Sequence, residues 1–303
     1  GIRNSMAAGS DDSVICGGED NTITTNPSDQ CFIGGGTTNS ITLGLYNVIV
    51  GGNGNLSDNG SGCFIGGGYT NNTSSNYACV VGGQNNDATS NHASVGGGEL
   101  NVASGDGSHI GGGHSNLASA TDSSVVGGDS NTASGADSCV VGGDGNTAAT
   151  AYAVACGKDA LTRNKAEIVQ SSGSIATQGD AQVRHLVLHR QTTDATPLTL
   201  TDDGANDSIG FISLPYGSAA SIRCHIVAQR DDETEMARYS FDALIKRNTS
   251  MAIAAVWNPG VNTDHEDDAT WNCTFNGRNL TITGASGKTI NWVAYVEVVE
   301  SIV

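Results

Sequence analysis

The sequence predicts an all-β protein in which a parallel β-roll, or solenoid, precedes an antiparallel β-sandwich or jelly roll. Glycine supplies 42 of the 303 residues and aromatic residues only 5%, which is too little bulk for one conventional core along the whole chain. Up to residue 157, glycine and asparagine recur at nearly fixed intervals, as in repeat proteins. After residue 182, polar and apolar residues alternate between turn residues, which is typical of antiparallel strands.

The repeat has about nine units of 15 to 18 residues, each with a glycine four residues before an asparagine. From Gly17 to Gly142 these glycines are separated by 18, 16, 16 and then five times 15 residues. An aliphatic residue stands two positions before each of them, from Ile15 to Val140. The asparagines form an unbroken column: Asn21, Asn39, Asn55, Asn71, Asn86, Asn101, Asn116, Asn131 and Asn146.

Short strands that end at glycine corners fit this pattern better than helices, because glycine destabilises a helix by about 1 kcal/mol relative to alanine. Turns of a solenoid stack at roughly 4.8 Å, so the aliphatic column would form an apolar spine. Stacked Asn side chains would hydrogen-bond to one another or to the corner backbone. We therefore predict a structural role for the nine asparagines, with a ligand-binding ladder as the alternative.

The strand before each glycine is also apolar on its second face. A strand that is apolar on both faces is normally buried on both. A single solenoid turn can bury only one face of its own strand. We therefore expect a lateral partner, most simply other copies of the same chain. The residues on this face include Val14, Phe32, Val48, Val50, Phe64, Val81, Val126 and Val141.

The run from Ser138 to Ala148 and its eight relatives resemble the head repeats of trimeric autotransporter adhesins, and similar arrays occur in bacteriophage tail fibres and spikes. The resemblance covers about residues 5–160. It implies a left-handed parallel β-roll in a homotrimer. The sequence departs from many adhesin heads in placing Asn where they have a small apolar residue.

The eight cysteines do not indicate a disulfide framework. Cys31 and Cys63 share a column but are two turns apart, roughly 9–10 Å, which exceeds the Cα separation of about 7 Å that a disulfide spans. Cys16, Cys79 and Cys139 replace Val or Ser at repeat positions, so we predict buried free thiols. No Cys-x-x-Cys pair suggests zinc, and we expect no cofactor or metal.

We divide the chain into a β-roll shaft at 1–157, a neck or cap at 158–182 and a C-terminal β-sandwich tip domain at 183–303. The neck would cover the open edge of the last turn. The strands predicted in the tip domain are 183–190, 208–214, 220–229, 236–247, 251–257, 270–275, 278–283 and 289–299.

The segments Gly179–Gln182 and Thr192–Pro197 resemble the junction that precedes a C-terminal β-domain in some phage tail-fibre proteins, and the later segments Asn279–Gly284 and Ile290–Ala294 are similar too. This resemblance favours a virion fibre over a bacterial surface adhesin.

The net charge of −18 is concentrated in the repeats, since residues 1–157 hold thirteen Asp or Glu and only Arg3 as a basic residue, a net −12. A surface so poor in Lys and Arg argues against nucleic acid as a partner. It also argues against attraction to an anionic membrane. No apolar run reaches the roughly 18 residues of a membrane span, so we expect no membrane insertion.

The residue types that carry catalysis or bind metals give weak signals. Acidic clusters at 202–203, 231–233 and 264–268 stand between predicted strands and are interpreted as solvated turns, with 264–268 the one to test for a cation. Gly-Gly-Asp at 127–129 and 142–144 lacks the period of calcium-binding nonapeptides. His185 and His189 are too far apart on one strand to share a metal, and His109 and His114 have no repeating partner.

The leading hypothesis is a homotrimeric fibre or spike protein of a phage-like virion that is not an enzyme. It would lie outside the cell, join other tail proteins and bind a host glycan or protein receptor through the tip loops 231–235 and 258–270. The alternatives are a fragment of a bacterial cell-surface adhesin and a polysaccharide-degrading tailspike.

Overall fold

The computed structural model describes residues 1–7, 12–24, 30–201, 214–215, 217–247, 253–257, 260–275 and 279–302. The described residues form strands and no helix, so none of them forms a helix able to cross a membrane. The chain divides into unit 1, Gly1–Cys156, and unit 2, Gly157–Val303. The prediction of an all-β fold is confirmed for the described residues.

Unit 1 is a β-solenoid whose turns each contribute two short parallel strands. In one stack each strand begins three residues before a corner glycine: β2 (Val14–Ile15), β4 (Phe32–Ile33), β6 (Val48–Ile49), β8 (Phe64–Ile65), β10 (Cys79–Val80), β12 (Ser94–Val95), β14 (His109–Ile110), β16 (Ser124–Val125), β18 (Cys139–Asp144) and β20 (Val154–Lys158). The other follows the repeat asparagine: β1 (Ser5–Met6), β3 (Thr22–Ile23), β5 (Ser40–Ile41), β7 (Leu56–Ser57), β9 (Asn72–Thr73), β11 (Asp87–Ala88), β13 (Val102–Ala103), β15 (Leu117–Ala118), β17 (Thr132–Ala133) and β19 (Thr147–Ala148).

The repeat register sets the pairing along the solenoid. Val95 pairs with Val80 on one side and with Ile110 on the other, one repeat away in each direction. The solenoid has about eleven turns, more than the nine repeats predicted. Strands continue on both sides of the Gly17–Gly142 register, with β1 before it and β20 after it.

The core of unit 1 consists of stacked columns of small side chains. The aliphatic column is buried, as at Ile33 and Val140, and so is the column six residues after the glycine, as at Ile23 and Ala133. From Ala88 to Ala148 this second column is alanine in every turn, but no strand was predicted there. Strands of only two residues show too little alternation to be detected by pattern.

Of the two glycines at each corner, it is the second that the stacking requires. Gly98 has φ +89, and a Cβ there would lie 2.0 Å from the carbonyl oxygen of Gly113 in the next turn. At Gly82, the first glycine of its pair, an added Cβ would meet no atom within 4 Å. Turns can stack at strand spacing because the second position has no side chain.

Unit 2 contains β21 (Ile168–Ser172), β22 (Ala181–Thr192), β23 (Leu198–Thr199), β24 (Ser218–Arg230), β25 (Met236–Arg247), β26 (Ile253–Trp257), β27 (Asn262–Glu266), β28 (Asn272–Phe275), β29 (Leu280–Thr283) and β30 (Ile290–Ile302). An antiparallel sheet runs β21-β22-β30-β24-β25, and β25 also pairs with β26 and β27. A second sheet has the order β23-β29-β28.

Residues of both sheets belong to one hydrophobic core. Phe241 of β25 stacks on Phe275 of β28 with ring centroids 4.6 Å apart, and Trp292 of β30 contacts Trp271. The sandwich or jelly-roll topology, the trimer and the handedness of the solenoid stay predictions.

Most strands predicted in the C-terminal half lie within one to three residues of strands in the structure. Residues 208–213 of one predicted strand lie outside the described residues. The structure adds β27, with the sequence Asn-Thr-Asp-His-Glu, in a segment predicted as a contact loop. This polar sequence carries no strand signal, and pairing with β25 supplies its order. The predicted neck also contains a strand, β21, which pairs with β22.

Candidate functional site

The asparagine column forms a continuous hydrogen-bonded ladder through unit 1. The amide N–H of Asn116 donates to Oδ1 of Asn101 at 3.1 Å, and its own Oδ1 accepts from the N–H of Asn131 at 3.0 Å. Its Nδ2 donates to the carbonyl oxygens of Gly112 at 3.0 Å and Gly128 at 2.9 Å. Through its backbone and side chain, Asn116 thus connects the preceding turn, its own turn and the next one.

All nine asparagines donate their backbone N–H to the preceding asparagine in the same way. They are at most 1% exposed, so their polar atoms face backbone rather than solvent. The ladder begins one turn earlier than predicted, because Asn4 Oδ1 accepts from Asn21. Asn4 stands 17 residues before Asn21, close to the repeat length.

A second column of unit 1 faces outward, and we name it the outward stripe. It consists of the residues three positions and one position before each repeat glycine, from Val14 and Cys16 to Cys139 and Val141. Val48 is half-buried, and the other large apolar members are between 36% and 56% exposed: Val14, Phe32, Val50, Phe64, Val81, Val126 and Val141. Unit 1 therefore presents a long apolar surface along one side.

The cysteines divide between the core and the outward stripe. Cys31 and Cys63 are buried in the solenoid. Cys16, however, is exposed, and Cys79 and Cys139 are half-buried, so the prediction that these three are buried is wrong within the single chain. They lie on the stripe because positions one and three before the glycine share the strand face opposite the core. Partial burial raises the pKa of the Cys79 and Cys139 thiols.

Partners on the protein already occupy the carboxylates of the acidic segment 264–268. Asp264 lies 3.5 Å from Nε of Arg238, and Glu266 accepts from the Tyr239 hydroxyl at 3.1 Å. Asp267 accepts from the N–H of Met236 and from His265, which accounts for its two oxygens. Among the described residues no group of three His, Cys, Asp or Glu could hold a metal.

Asp268 belongs to a different cluster, in which Lys288 joins two carboxylates. Lys288 Nζ lies 2.6 Å from Asp268 Oδ2 and 2.7 Å from Glu235 Oε2. The hydrogen bond from Lys288, with those from Thr270, lowers the pKa of Asp268 to about 2. The side chains are 16% to 24% exposed, so this is an accessible carboxylate pair next to the turn at 231–234.

Among the described residues, the histidines predicted as candidates have separate partners and do not meet in one site. His185 Nδ1 lies 2.6 Å from the Tyr295 hydroxyl, and the two rings stack. His114 pairs with Asp129 at 2.8 Å, and this hydrogen bond raises the pKa of His114. His109 Nδ1 lies 2.8 Å from Ser94 Oγ on the outward stripe.

A buried ion-pair cluster in unit 2 was not predicted. Arg184 donates through Nε to Glu167 at 2.9 Å and through Nη1 to Glu300 at 3.0 Å, and all three side chains have zero exposure. Arg163 pairs with Glu300 as well. Burial raises the pKa of Glu300, and the two guanidinium groups oppose that shift. The sequence pattern did not reveal this cluster, because Arg184 and Glu300 occupy ordinary positions in the alternation of polar and apolar residues along long strands.

A cleft of about 440 Å³ lies beside this cluster, lined by residues of β21, β22 and β30, among them Ser171, Gln182 and Val299. Glu300 contributes to the lining, but its side chain has no exposed surface. Its carboxylate is held by Arg184 and Arg163 and acts in the structure as part of an ion-pair network.

No family model and no curated protein matches the chain. Among solved structures, the tailspike protein of Acinetobacter baumannii phage AM24 is similar with a TM-score of 0.23 and 8% identity, over 91% of this chain and 56% of that one. The tailspike protein gp49 of Acinetobacter baumannii bacteriophage Fri1, a capsular polysaccharide depolymerase, has the same TM-score and identity, over 92% and 66%. The chain spans less than two thirds of the length of either structure.

Two expectations need correction. The predicted resemblance is confirmed only as a β-solenoid, which the strand pairs of unit 1 show, and the adhesin type of the repeat stays a prediction. The prediction that the protein is not an enzyme is contradicted, because one of these tailspikes is described as a depolymerase.

Proposed function

We propose that the chain is a structural and adhesive component of a tail fibre or tail spike of a phage-like particle, in the virion and outside the cell. The observation that carries this proposal is the solenoid of about eleven turns, in which an unbroken ladder joins ten asparagines from Asn4 to Asn146 and an apolar stripe remains for neighbouring copies. Such an assembly would be a homotrimer and would join other virion tail proteins.

Unit 2 would recognise a host glycan or protein at the cell surface. Support comes from the turn that joins β24 to β25, where Asp232 and Glu233 are exposed, because loops on a rigid sheet commonly carry recognition. Several copies held in one assembly would raise the apparent affinity through avidity.

The test measures binding of the full chain to a panel of purified bacterial capsular polysaccharides and to intact encapsulated cells. Glu233→Ala should weaken binding, and Glu99→Ala, which removes an exposed carboxylate from the solenoid, should leave it unchanged. Binding that survives the change in unit 2 and is lost with the change in unit 1 would contradict the proposed division of roles.

The second candidate function is hydrolysis of such a polysaccharide, and the carboxylate pair Glu235 and Asp268 favours it. Both bind the same Lys288 ammonium group, which is compatible with the separation of roughly 5–5.5 Å between the carboxyl groups of retaining glycosidases. With its pKa near 2, Asp268 is ionised at neutral pH and suited to the role of nucleophile rather than acid.

Release of reducing ends from capsular polysaccharide would test this activity directly. The wild-type chain should release them, and Asp268→Asn and Glu235→Gln should each abolish the release while binding remains. If wild-type protein binds the polysaccharide and releases nothing, the hydrolase proposal is wrong.

A further inference from the structure

The outward stripe of unit 1 differs from the rest of the solenoid in charge. Over the nine turns from Val14 to Val141, the positions one and three before the glycine contain no Asp, Glu, Lys or Arg, although residues 1–157 carry a net −12. Like charges repel, and the repulsion grows where water is excluded. The stripe is therefore a surface that two identical, acidic chains can bring together without opposing their carboxylates.

The spacing of the stripe identifies what fits it. Its side chains repeat once per turn, at roughly the 4.8 Å separation of paired strands, over nine turns. A partner that fills the gaps between them along the whole length needs the same period. A second copy of this chain has that period by construction, and identical chains associate by closed symmetry.

The composition of the stripe changes along its length. The position three before the glycine is Val14, Phe32, Val48 and Phe64 in the first four turns, and Ser94, His109 and Ser124 in turns six to eight. An antiparallel arrangement of the nine turns would place the two phenylalanines against the two serines and Val48 against His109. A parallel arrangement in register places phenylalanine on phenylalanine and the Ser94–His109 pair on its own copies.

We infer that the outward stripes of neighbouring copies pack against one another, parallel and in register, across the symmetry axis of the oligomer. The inference rests on the oligomer in the proposed function and specifies its interface. In this arrangement Cys16, Cys79 and Cys139 of one chain each lie beside the same residue of another. Polar contacts between copies of Ser94 and His109 fix the register in the middle of the stripe.

These three thiols make the arrangement measurable in the native protein. Cys16 and Cys79 are four turns apart, as are Cys79 and Cys139, so within one chain they are separated by roughly 19 Å, too far for a disulfide. Oxidation can therefore link these three thiols to one another only between chains. Diamide takes up the two electrons and two protons that are lost when two thiols form a disulfide.

The experiment treats the full-length native oligomer briefly with diamide, separates the products without reductant and identifies the linked peptides by mass spectrometry. Parallel packing in register yields Cys16–Cys16, Cys79–Cys79 and Cys139–Cys139 links. Cys79→Ser should remove its own link and leave the others. Cys16–Cys139 links would show antiparallel packing, and an oligomer without links among these residues would use another face; either result overturns the inference.

Size measurement in solution provides the second readout. Val81→Glu places a charge on the stripe and should shift the oligomer towards monomer by at least tenfold in dissociation constant. Leu100→Glu is the matched control, since Leu100 is also an exposed aliphatic residue, 44% against 55%, but lies off the stripe. Equal effects of the two changes, or a monomeric wild type, would overturn the interface. Glycan binding measured on the same samples tests the proposed function separately.

Discussion

The two units of this protein stabilise β-strands by different means. In unit 1 the strand pairs join residues one repeat apart, and the core consists mainly of Ile, Val, Ala and Asn. In unit 2 the pairing of Val187 with Tyr295 spans more than a hundred residues, and the core holds Trp271, Trp292 and a buried arginine. Unit 1 distributes its stability over many small, equal contributions, whereas unit 2 concentrates it in a few large ones.

This difference means that single substitutions should act differently in the two units. In a repeat array, stability is approximately a sum over units and their interfaces, so a defect is local. In unit 2 one buried group contacts several strands, so a defect should affect the whole unit. The following four changes test the contrast, from the largest expected effect to the smallest.

Arg184→Met should have the largest effect. It leaves the buried carboxylates of Glu167 and Glu300 without their shared partner, which typically destabilises by about 3–5 kcal/mol. Denaturant unfolding monitored by tryptophan fluorescence measures it, because all three tryptophans are in unit 2. Arg223→Met, which removes an exposed pair with Asp242, should change stability by less than about 1 kcal/mol. Similar losses in both variants would show that the cluster is unimportant.

Gly98→Ala should disrupt the stacking of unit 1. The new Cβ would lie 2.0 Å from a backbone oxygen at φ +89, and we expect a loss of about 3 kcal/mol or more. Hydrogen exchange should locate the loss in the turns around Gly98 and Gly113. The control is Gly112→Ala, whose Cβ would meet nothing closer than 3.8 Å. Protection lost evenly over the solenoid would contradict a local defect.

Asn116→Ala should break one rung of the ladder. It leaves the carbonyl oxygen of Gly112 and the N–H of Asn131 without the partner that Asn116 supplies, while the carbonyl oxygen of Gly128 keeps the N–H of His114. We expect a loss of about 2–3 kcal/mol. Asn53→Ala, an exposed asparagine in the same unit, provides the comparison in thermal unfolding followed by circular dichroism. An unchanged unfolding midpoint for Asn116→Ala would show that the ladder does not stabilise the solenoid.

Acidification should affect unit 2 slightly through Asp268. Its folded pKa of about 2 lies below the ordinary value near 3.9, so its stabilising contribution is present above about pH 4 and is lost as the pH falls towards 2. Lys288→Met should shrink this pH dependence, because Lys288 is the main cause of the shift. Lys246→Met, at an exposed position of β25, should not. The unfolding midpoint between pH 5 and 2 measures the difference.

The sequence by itself determined the solenoid. The Gly–Asn register and the aliphatic column specified which residues stack, because each turn repeats the same backbone and every partner is one repeat away. The asparagine column was found residue by residue, except Asn4, which stands before the register that begins at Gly17. Its exact hydrogen bonds, to two glycine carbonyls and the next asparagine, required the coordinates.

Only the tertiary structure decided the features that depend on distant pairing. The polar strand Asn262–Glu266 exists because β25 offers it an edge, and Arg184 meets Glu300 because β22 and β30 pair over more than a hundred residues. The same holds for Glu235 and Asp268, which Lys288 brings together. In the repeats, residues one repeat apart in the sequence are neighbours in space. In unit 2 neighbouring residues are often far apart in the sequence, so the alternation of polar and apolar residues predicted the strands but not the sites between them.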